Sequence, residues 1–378
     1  MSKALLYVNS KGYAVSRHSY SGSTSYNFCP RKYYLERVQG WSEKQERAAT
    51  KFGIALEAGV TFWHQHRQDI AGAVAEFQRL WSEHKDKEYI YSKPEKDWAS
   101  LSLTGAELIK LYTLLYPTFP FIVNNPQDFQ VQTNFEIFPG TKLAGIEFTS
   151  YIDLIAQLKG PAHESLIIDI KTSGKDVPDL TLLDPQLRSY AWVKWLPEET
   201  QKWVAFLWFR KMGREISKGD KVMFLEPYAG FEPGKAGIVL LKDEFGVWVT
   251  DDPKIEDEMN EKFVGQSKAV VAARMEYIKA NGKHVAESAI TKQRVQFKMA
   301  AITKESADDI GRKIKHDVVN IARANETEDW TMNSGVRFPD ERCPNCSMRG
   351  ICSNQPELRD QLVTRKQLEE FDFGTETE

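Results

Sequence analysis

Between residues 128 and 209 the apolar residues change period, and that change decides what kind of core the chain can build. The stretches DFQVQTNFEIF (128–138), GIEFTSYIDLIAQL (145–158) and SLIIDIKTS (165–173) are short and rich in β-branched and aromatic residues. The turn signals PGTK and KGPAHE separate them, so each reads as a strand. DPQLRSYAWVKWL (184–196) then reads as a helix, with Asp184 as N-cap and Pro185 at its first position, and KWVAFLWF (202–209) as a buried strand. Strand, strand, strand, helix, strand predicts an α/β fold.

Upstream, 51–82 and 102–116 carry apolar residues three and four apart, and 21–38 opens on Ser and Thr suited to capping; all three read as helices. Residues 219–250 read as a β-rich insertion with a hairpin around KDEFG. Residues 253–281 and 284–325 read as helical, broken at ANGKH, and FDFGTETE ends the chain as an acidic, frayed tail. No composition shift marks a linker. The expectation is one discontinuous domain over 1–378: an N-terminal helical region (21–118), a core (128–210), the insertion (219–250) and a C-terminal helical region (253–360). No apolar run approaches the roughly 18 residues of a membrane span, and the N-terminus has no signal-peptide stretch, so a soluble cytoplasmic protein is expected.

The net charge of −3 excludes a general polycation, so a nucleic-acid partner would need a local basic groove. Arg31, Lys32 and Arg37, then Arg210, Lys211 and Arg214, and the stretch 292–315 are candidates, although such clusters also read as solvated helix faces. Three of the four cysteines, Cys343, Cys346 and Cys352, lie in CPNCSMRGIC, and the other is Cys29. In a reducing compartment a CxxC pair points to metal binding or catalysis rather than to a disulfide.

The chemistry centres on YIDLI and LIIDIKTS. Asp153 sits among residues that want burial, and Asp169 and Lys171, two apart in a strand, share a face. An aspartate buried there needs a partner. Two carboxylates converging on a hard divalent cation, Mg²⁺ or Mn²⁺, would supply one. A lysine beside that ion can orient water and stabilise a charged transition state at phosphorus. The plain alternative is an exposed strand end with an Asp–Lys salt bridge.

DIKTS is followed by QLRSY, whose Gln186 and Tyr190 share one helix face. With these residues the chain resembles the PD-(D/E)XK nuclease superfamily, and within it the RecB-type branch. The resemblance implies a restriction-endonuclease-like mixed central sheet flanked by helices. It implies Asp153 and Asp169 as metal ligands with the Ile170 carbonyl, Lys171 as the group positioning water, and Gln186 and Tyr190 facing the DNA. The branch's upstream G-x-x-x-H appears here as Gly53 and Glu57, so Glu57 takes the histidine's ligand role, with His64 and His66 as fallbacks. The spacing C-x₂-C-x₅-C with one upstream cysteine resembles AddB-type nucleases and CRISPR-adaptation exonucleases. There, four cysteines hold a [4Fe–4S] cluster joining the two ends of the domain. Zinc is the rival occupant.

The implied function is a Mg²⁺/Mn²⁺-dependent deoxyribonuclease, an exonuclease at DNA ends or single strands serving recombination, repair or phage DNA metabolism. The basic first helix would help line the DNA path. The alternatives are a non-catalytic DNA-binding or assembly subunit and a zinc-stabilised interaction protein. The chain has neither GxxxxGK[ST] nor GxGxxG, so helicase activity would have to come from a partner, a helicase or recombination protein. The tryptophans Trp192, Trp195, Trp203 and Trp208 have core-like spacing and read as packing.

Overall fold

A computed structural model of the chain describes residues 6–8, 14–66, 68–91, 97–175, 177, 181–211, 216–224, 230–231, 235–333 and 342–365; Arg214 and the acidic tail lie outside them. Helix α1 (Tyr20–Phe28) starts where the Ser19 hydroxyl accepts the Gly22 N–H at 3.2 Å. It stops at Cys29, which is extended, and Pro30 restarts a turn (Pro30–Tyr33) that runs into a π-helical stretch (Tyr34–Val38). The single helical reading of 21–38 is thus broken at the cysteine.

The apolar period over 51–82 resolves into α2 (Ala48–Gln65) and α3 (Ile70–Ser82). Gln68 turns left-handed between them (φ 64), and Asp69 caps α3 by accepting from Gly72 N–H at 3.0 Å. Helix α4 (Trp98–Leu115) begins with an Asp97/Ser100 capping box. These three helices bury Phe52, Leu56, Phe77, Trp81, Leu108 and Tyr112 together against one face of a central sheet.

That sheet has seven strands: β1 (Arg17–His18), β2 (Phe121–Ile122), β3 (Phe129–Glu136), β4 (Glu147–Leu158), β5 (Ser165–Ser173), β6 (Gln201–Arg210) and, from farther along the chain, Val295–Thr303. β5 and β6 run parallel, while β4 is antiparallel to β5 and to β3. A parallel pair needs a crossover, and helix α5 (Pro185–Val193) supplies it. Asp184 caps α5 as expected, accepting from Gln186 and Leu187 N–H at 2.9 Å each. On this second face Ile152, Ile167, Leu187, Tyr190, Val204 and Phe206 form another core, and Trp192, Trp195 and Trp208 pack against it.

Farther along, β7 (Lys221–Phe224), β8 (Ala236–Lys242) and β9 (Val247–Thr250) belong to a five-stranded antiparallel sheet. Its turn at KDEFG is closed by Asp243 N–H on Gly246 O at 3.0 Å. Helices α6 (Pro253–Lys262) and α7 (Lys268–Asn281) follow. The helical reading of 284–325 holds only for α8 (Lys304–Thr327). Lys283–Val285 (β10) and Ile290–Lys292 (β11) complete the five-stranded sheet, and Val295–Thr303 (β12) pairs along the whole of β6. Nine consecutive partners on β6 outweigh the weak local preference of VQFKMAAIT. The result is a mixed α/β architecture with a central mixed sheet and flanking helices, consistent with a restriction-endonuclease-like fold.

The two ends of the described chain meet. Trp41–Glu43 pairs antiparallel with Val363–Arg365, and Leu35, Met348 and Val363 share a small core. Arg342 donates to the Phe28 carbonyl at 3.1 Å, and Arg31 N–H to the Thr331 carbonyl at 3.2 Å. Among the described residues no helix is long and apolar enough to cross a membrane.

Helix packing sets one sharp sign. A Cβ on Gly105 in α4 would fall 2.0 Å from the Phe77 ring of α3. Alanine is ordinarily the better helix former by about 1 kcal/mol, yet here Gly105→Ala should destabilise by about 1–3 kcal/mol through overpacking. Chemical denaturation measures this, and a gain in stability would contradict the close approach.

Candidate active site

The ladder between β4 and β5 runs from Ser165 opposite Gln157 to Ile168 opposite Leu154 and stops there. The next residues on either side are Asp153 and Asp169. β5 continues alongside β6 as far as Ser173, so the two strands fork at the two aspartates. Asp153 covers the opening: its Oδ2 accepts the Ile170 N–H, which the ladder no longer uses, at 2.7 Å. Asp169 is fully buried. The Lys171 ammonium lies across its carboxylate, hydrogen-bonding Oδ1 at 3.0 Å and standing 2.8 Å from Oδ2. The second contact is a close ion pair out of hydrogen-bond line, so Asp169 Oδ2 is buried with charge beside it and no hydrogen bond.

Glu57 reaches this opening from α2. One turn earlier, a Cβ on Gly53 would stand 3.3 Å from Thr172 Oγ1, so glycine lets α2 lie close on β5 beside Lys171. Glu57 Oε1 accepts from the Gln130 side-chain amide. Gln130 is the residue that sequence reasoning passed over. It stands on β3 across from Asp153, between the pairs Phe129–Leu154 and Val131–Ile152, with a left-handed backbone (φ 51).

The cores explain the twist. Phe129 and Leu154 pack with α2–α4, whereas Val131 and Ile152 pack on the α5 side. Residues two apart in a strand ordinarily share a face. Here both strands change faces at Gln130 and Asp153, and a non-glycine residue in the left-handed region accommodates the change at a cost of about 1–3 kcal/mol. Such a break leaves no mark in the hydrophobic alternation.

The electrostatics follow from crowding carboxylates in a dry place. Glu57 is pushed from 4.5 up to about 8, by burial first and then by the charge on Asp153, with Asp169 adding to it and the Gln130 amide opposing. Burial raises Asp169 from 3.8 to about 7, Lys171 pulls it back, and Asp153 pushes it further up. Asp153 is also raised by burial, against the Ile170 N–H and Lys171. For Lys171 burial favours the neutral amine, but Asp169 and Asp153 override it and hold the pKa above the ordinary 10.5. Tyr190 is raised by burial and by the charges on Asp169, Asp153 and Glu57, which places it in the field of all three carboxylates. Gln186 Nε2 donates to the Tyr190 hydroxyl at 2.7 Å, so the two act as one polar face of α5.

The histidine fallbacks lie elsewhere. His64 bonds the Tyr112 hydroxyl at 2.8 Å inside an aromatic cage, and burial pushes it down to about 4. His66 stacks on Phe62 and contacts its carbonyl. The basic clusters are largely occupied: Arg31 lies over the Tyr34 ring, Lys32 pairs with Glu36 at 3.2 Å and Arg294 with Glu107 at 2.7 Å.

Among the described residues no three His, Cys, Asp or Glu side chains stand together as a ready metal-binding group. Glu57, Asp153 and Asp169 are held instead by Gln130, the Ile170 N–H and Lys171. The donor set nonetheless suits a hard divalent cation. It offers three acidic groups whose mutual repulsion the single charge of Lys171 does not cancel, and one buried carboxylate oxygen without a hydrogen bond. The Ile170 N–H donates to Asp153 Oδ2.

The cysteines are all free thiols, with Cys29 buried and Cys352 the most exposed. Desolvation pushes the Cys352 thiol up, and the other three cysteines add to this against the opposing charge of Arg31. As they stand they do not form a metal cluster, which departs from the four-thiolate arrangement expected from their spacing.

The raised carboxylates make stability depend on pH and on cations. Their folded pKa values exceed the unfolded ones, so the fold binds extra protons between about 4 and 8 and loses stability as pH rises through that window. A divalent cation favours the ionised forms and opposes that loss. Adding Mn²⁺ should therefore raise Tm more at the top of the window than at its bottom, and less in Asp169→Asn. Equal increments at both ends would contradict this.

The sequence matches the family model described as the PD-(D/E)XK nuclease superfamily over residues 17–353. No curated protein sequence matches the chain. Among solved structures, one titled "Crystal structure of SSO0001" aligns at 15% identity over 47% of this chain and 68% of its own, with a TM-score of 0.18, too low to carry an argument. The match of the family model over most of the chain, including the fork at Asp153 and Asp169, shows that this chain belongs to the PD-(D/E)XK nuclease superfamily.

Proposed function

We propose that the chain is a deoxyribonuclease that hydrolyses phosphodiester bonds at DNA ends or in single strands with Mg²⁺ or Mn²⁺. The observation that carries this reading is the strand fork, which sets Asp153 and Asp169 side by side with Lys171 across the second carboxylate. Glu57, Asp153, Asp169 and the Ile170 carbonyl would hold the ion. When bound, it supplies polarisation of the scissile phosphate and a lowered pKa for the attacking water.

The other work falls to the chain's own groups. Lys171 stays protonated beside Asp169, so its ammonium orients the water and meets negative charge developing on the phosphate oxygens. Tyr190 keeps its proton, and with Gln186 it offers hydrogen bonds to the strand from one face of α5. The buried floor of Ile152, Ile167 and Leu187 excludes water behind them. Action in recombination, repair or phage DNA metabolism, with a helicase or recombination partner, extends the same reading.

For the cysteines, Cys29, Cys343, Cys346 and Cys352 would hold a [4Fe–4S] cluster, which when bound supplies a cross-link between the chain's ends. Support comes from the spacing of the cysteines and from the contacts that already draw Phe28–Arg31 to the C-terminal segment. Metal analysis of anaerobically purified protein should find iron and sulfide, lost together with thermal stability in Cys343→Ala. Stoichiometric zinc, or neither metal, would refute the cluster.

The catalytic reading is tested by cleavage of linear and circular, single- and double-stranded DNA with Mg²⁺, Mn²⁺ or EDTA. Cleavage should require the cation, and Lys171→Ala should cut it by about two to three orders of magnitude in protein that remains folded by circular dichroism, with Tm lowered by the loss of the Asp169 counterion. A lysine variant cleaving at the parent rate would overturn the mechanism.

A further inference from the structure

Beside the candidate catalytic centre a groove of about 540 Å³ opens between α1 and β4, and it shares Gln186 and Tyr190 with that centre. Its size falls within the roughly 300–1,000 Å³ of sites built for small organic groups. The walls carry an unusual mixture. Tyr20 and Tyr151 put aromatic rings into it, and Tyr151 is 43% exposed just two residues before Asp153 on β4. Helix α1 contributes Ser21, whose hydroxyl accepts from Arg37 at 3.4 Å, Thr24, whose hydroxyl donates to the Tyr20 carbonyl at 3.0 Å, and Ser25. The lining cation among the described residues is Lys32, already paired with Glu36 at 3.2 Å, and Ser25 donates to that same Glu36 at 2.8 Å. The segment expected to bind DNA through charge therefore presents hydroxyls and rings to the groove.

One lining group independently asks for a ligand. Ser150 is 95% buried by its 5% exposure, and its Oγ has no hydrogen-bond partner. A buried hydroxyl left unpaired costs about 1–3 kcal/mol, and the residue that carries it lines the groove next to Tyr151.

We propose that this groove binds an unpaired DNA strand running to or from the scissile phosphate, gripped by base stacking on Tyr151 and Tyr20. The proposal rests on the nuclease reading and adds to it the class of substrate. A duplex hides its base faces in its own stack, so exposed rings gain nothing from it. A duplex is instead held by a row of cations that release counterions from its phosphates, and this lining offers only one cation, already neutralised. Rings along a narrow channel match the way proteins grip single strands without reading sequence. Because little charge is neutralised, the salt dependence should be shallow: each phosphate neutralised on a single strand contributes a slope of about −0.7 in log K against log salt.

The test separates binding from cleavage. Fluorescence anisotropy with Lys171→Ala protein, without divalent cation, compares a labelled single-stranded oligonucleotide with its blunt duplex. The single strand should bind more tightly, with a salt slope of about −1 or shallower. Adding Tyr151→Ala should weaken single-strand binding by about 5- to 150-fold, and Tyr151→Phe should restore it. Ser150→Ala should also weaken it while leaving Tm unchanged or higher, because no internal hydrogen bond is lost.

Unchanged single-strand affinity in both Tyr151→Ala and Ser150→Ala would overturn the proposal, and so would a duplex that binds as tightly and loses affinity equally. Failure of the nuclease reading would show separately, as absent cleavage by the parent protein in all cations.

Discussion

Everything at the candidate active site depends on where one hydrogen-bond ladder ends. As long as β4 and β5 pair, their backbones satisfy each other and no side chain can come between them. Past Leu154 and Ile168 the pairing stops, and an open N–H on Ile170 has to be met by something else. Asp153 meets it, and doing so anchors this carboxylate beside Asp169. β5 can leave β4 because β6 continues to pair with it through Ser173, and β12 in turn pairs along β6. The edge strand drawn from the far part of the chain thus helps to hold the fork open.

Around that fork the protein concentrates like charge out of water, a state that needs compensation. The compensation in place comes from Lys171 and from the Gln130 amide, and both are groups that can turn toward a ligand. Gln130 can be where it is only because β3 and β4 change faces together, which requires a left-handed backbone at a residue that does not favour it. Strain at such a point is stored where the surrounding packing over-determines it, and Phe129 and Val131 on opposite cores do so here. Gly53 has a parallel role on the helix side: with no Cβ to press on Thr172, α2 lies close on β5 and carries Glu57 over the same opening.

Much of this was legible in the sequence, and the reasons are local. The strands 129–136, 147–158, 165–173 and 201–210 declare themselves by β-branched and aromatic runs bounded by turn residues, and Asp184–Pro185 announces α5 by capping chemistry. Asp169 and Lys171 share a face because the period of two holds through β5. What stayed hidden is set by partners distant in sequence. VQFKMAAIT became a strand because β6 had an unpaired edge, and the helical span 51–82 broke at Gln68, whose side chain gives no warning of a left-handed turn. Gln130 was invisible because a face change erases the alternation by which strands are read. The cysteines lie between these cases: their spacing suggested one site, and the fold brings their segments together without bringing the thiols to ligand geometry.

The central claim is that Glu57, Asp153 and Asp169 form one cation site that Gln130 and Lys171 hold in balance. The most direct measurement is an anomalous difference map from crystals of the protein grown with Mn²⁺. The account predicts a peak bounded by the three carboxylates, with the Gln130 amide turned away from Glu57. Peaks only at other positions, with Glu57 still hydrogen-bonded to Gln130, would contradict it.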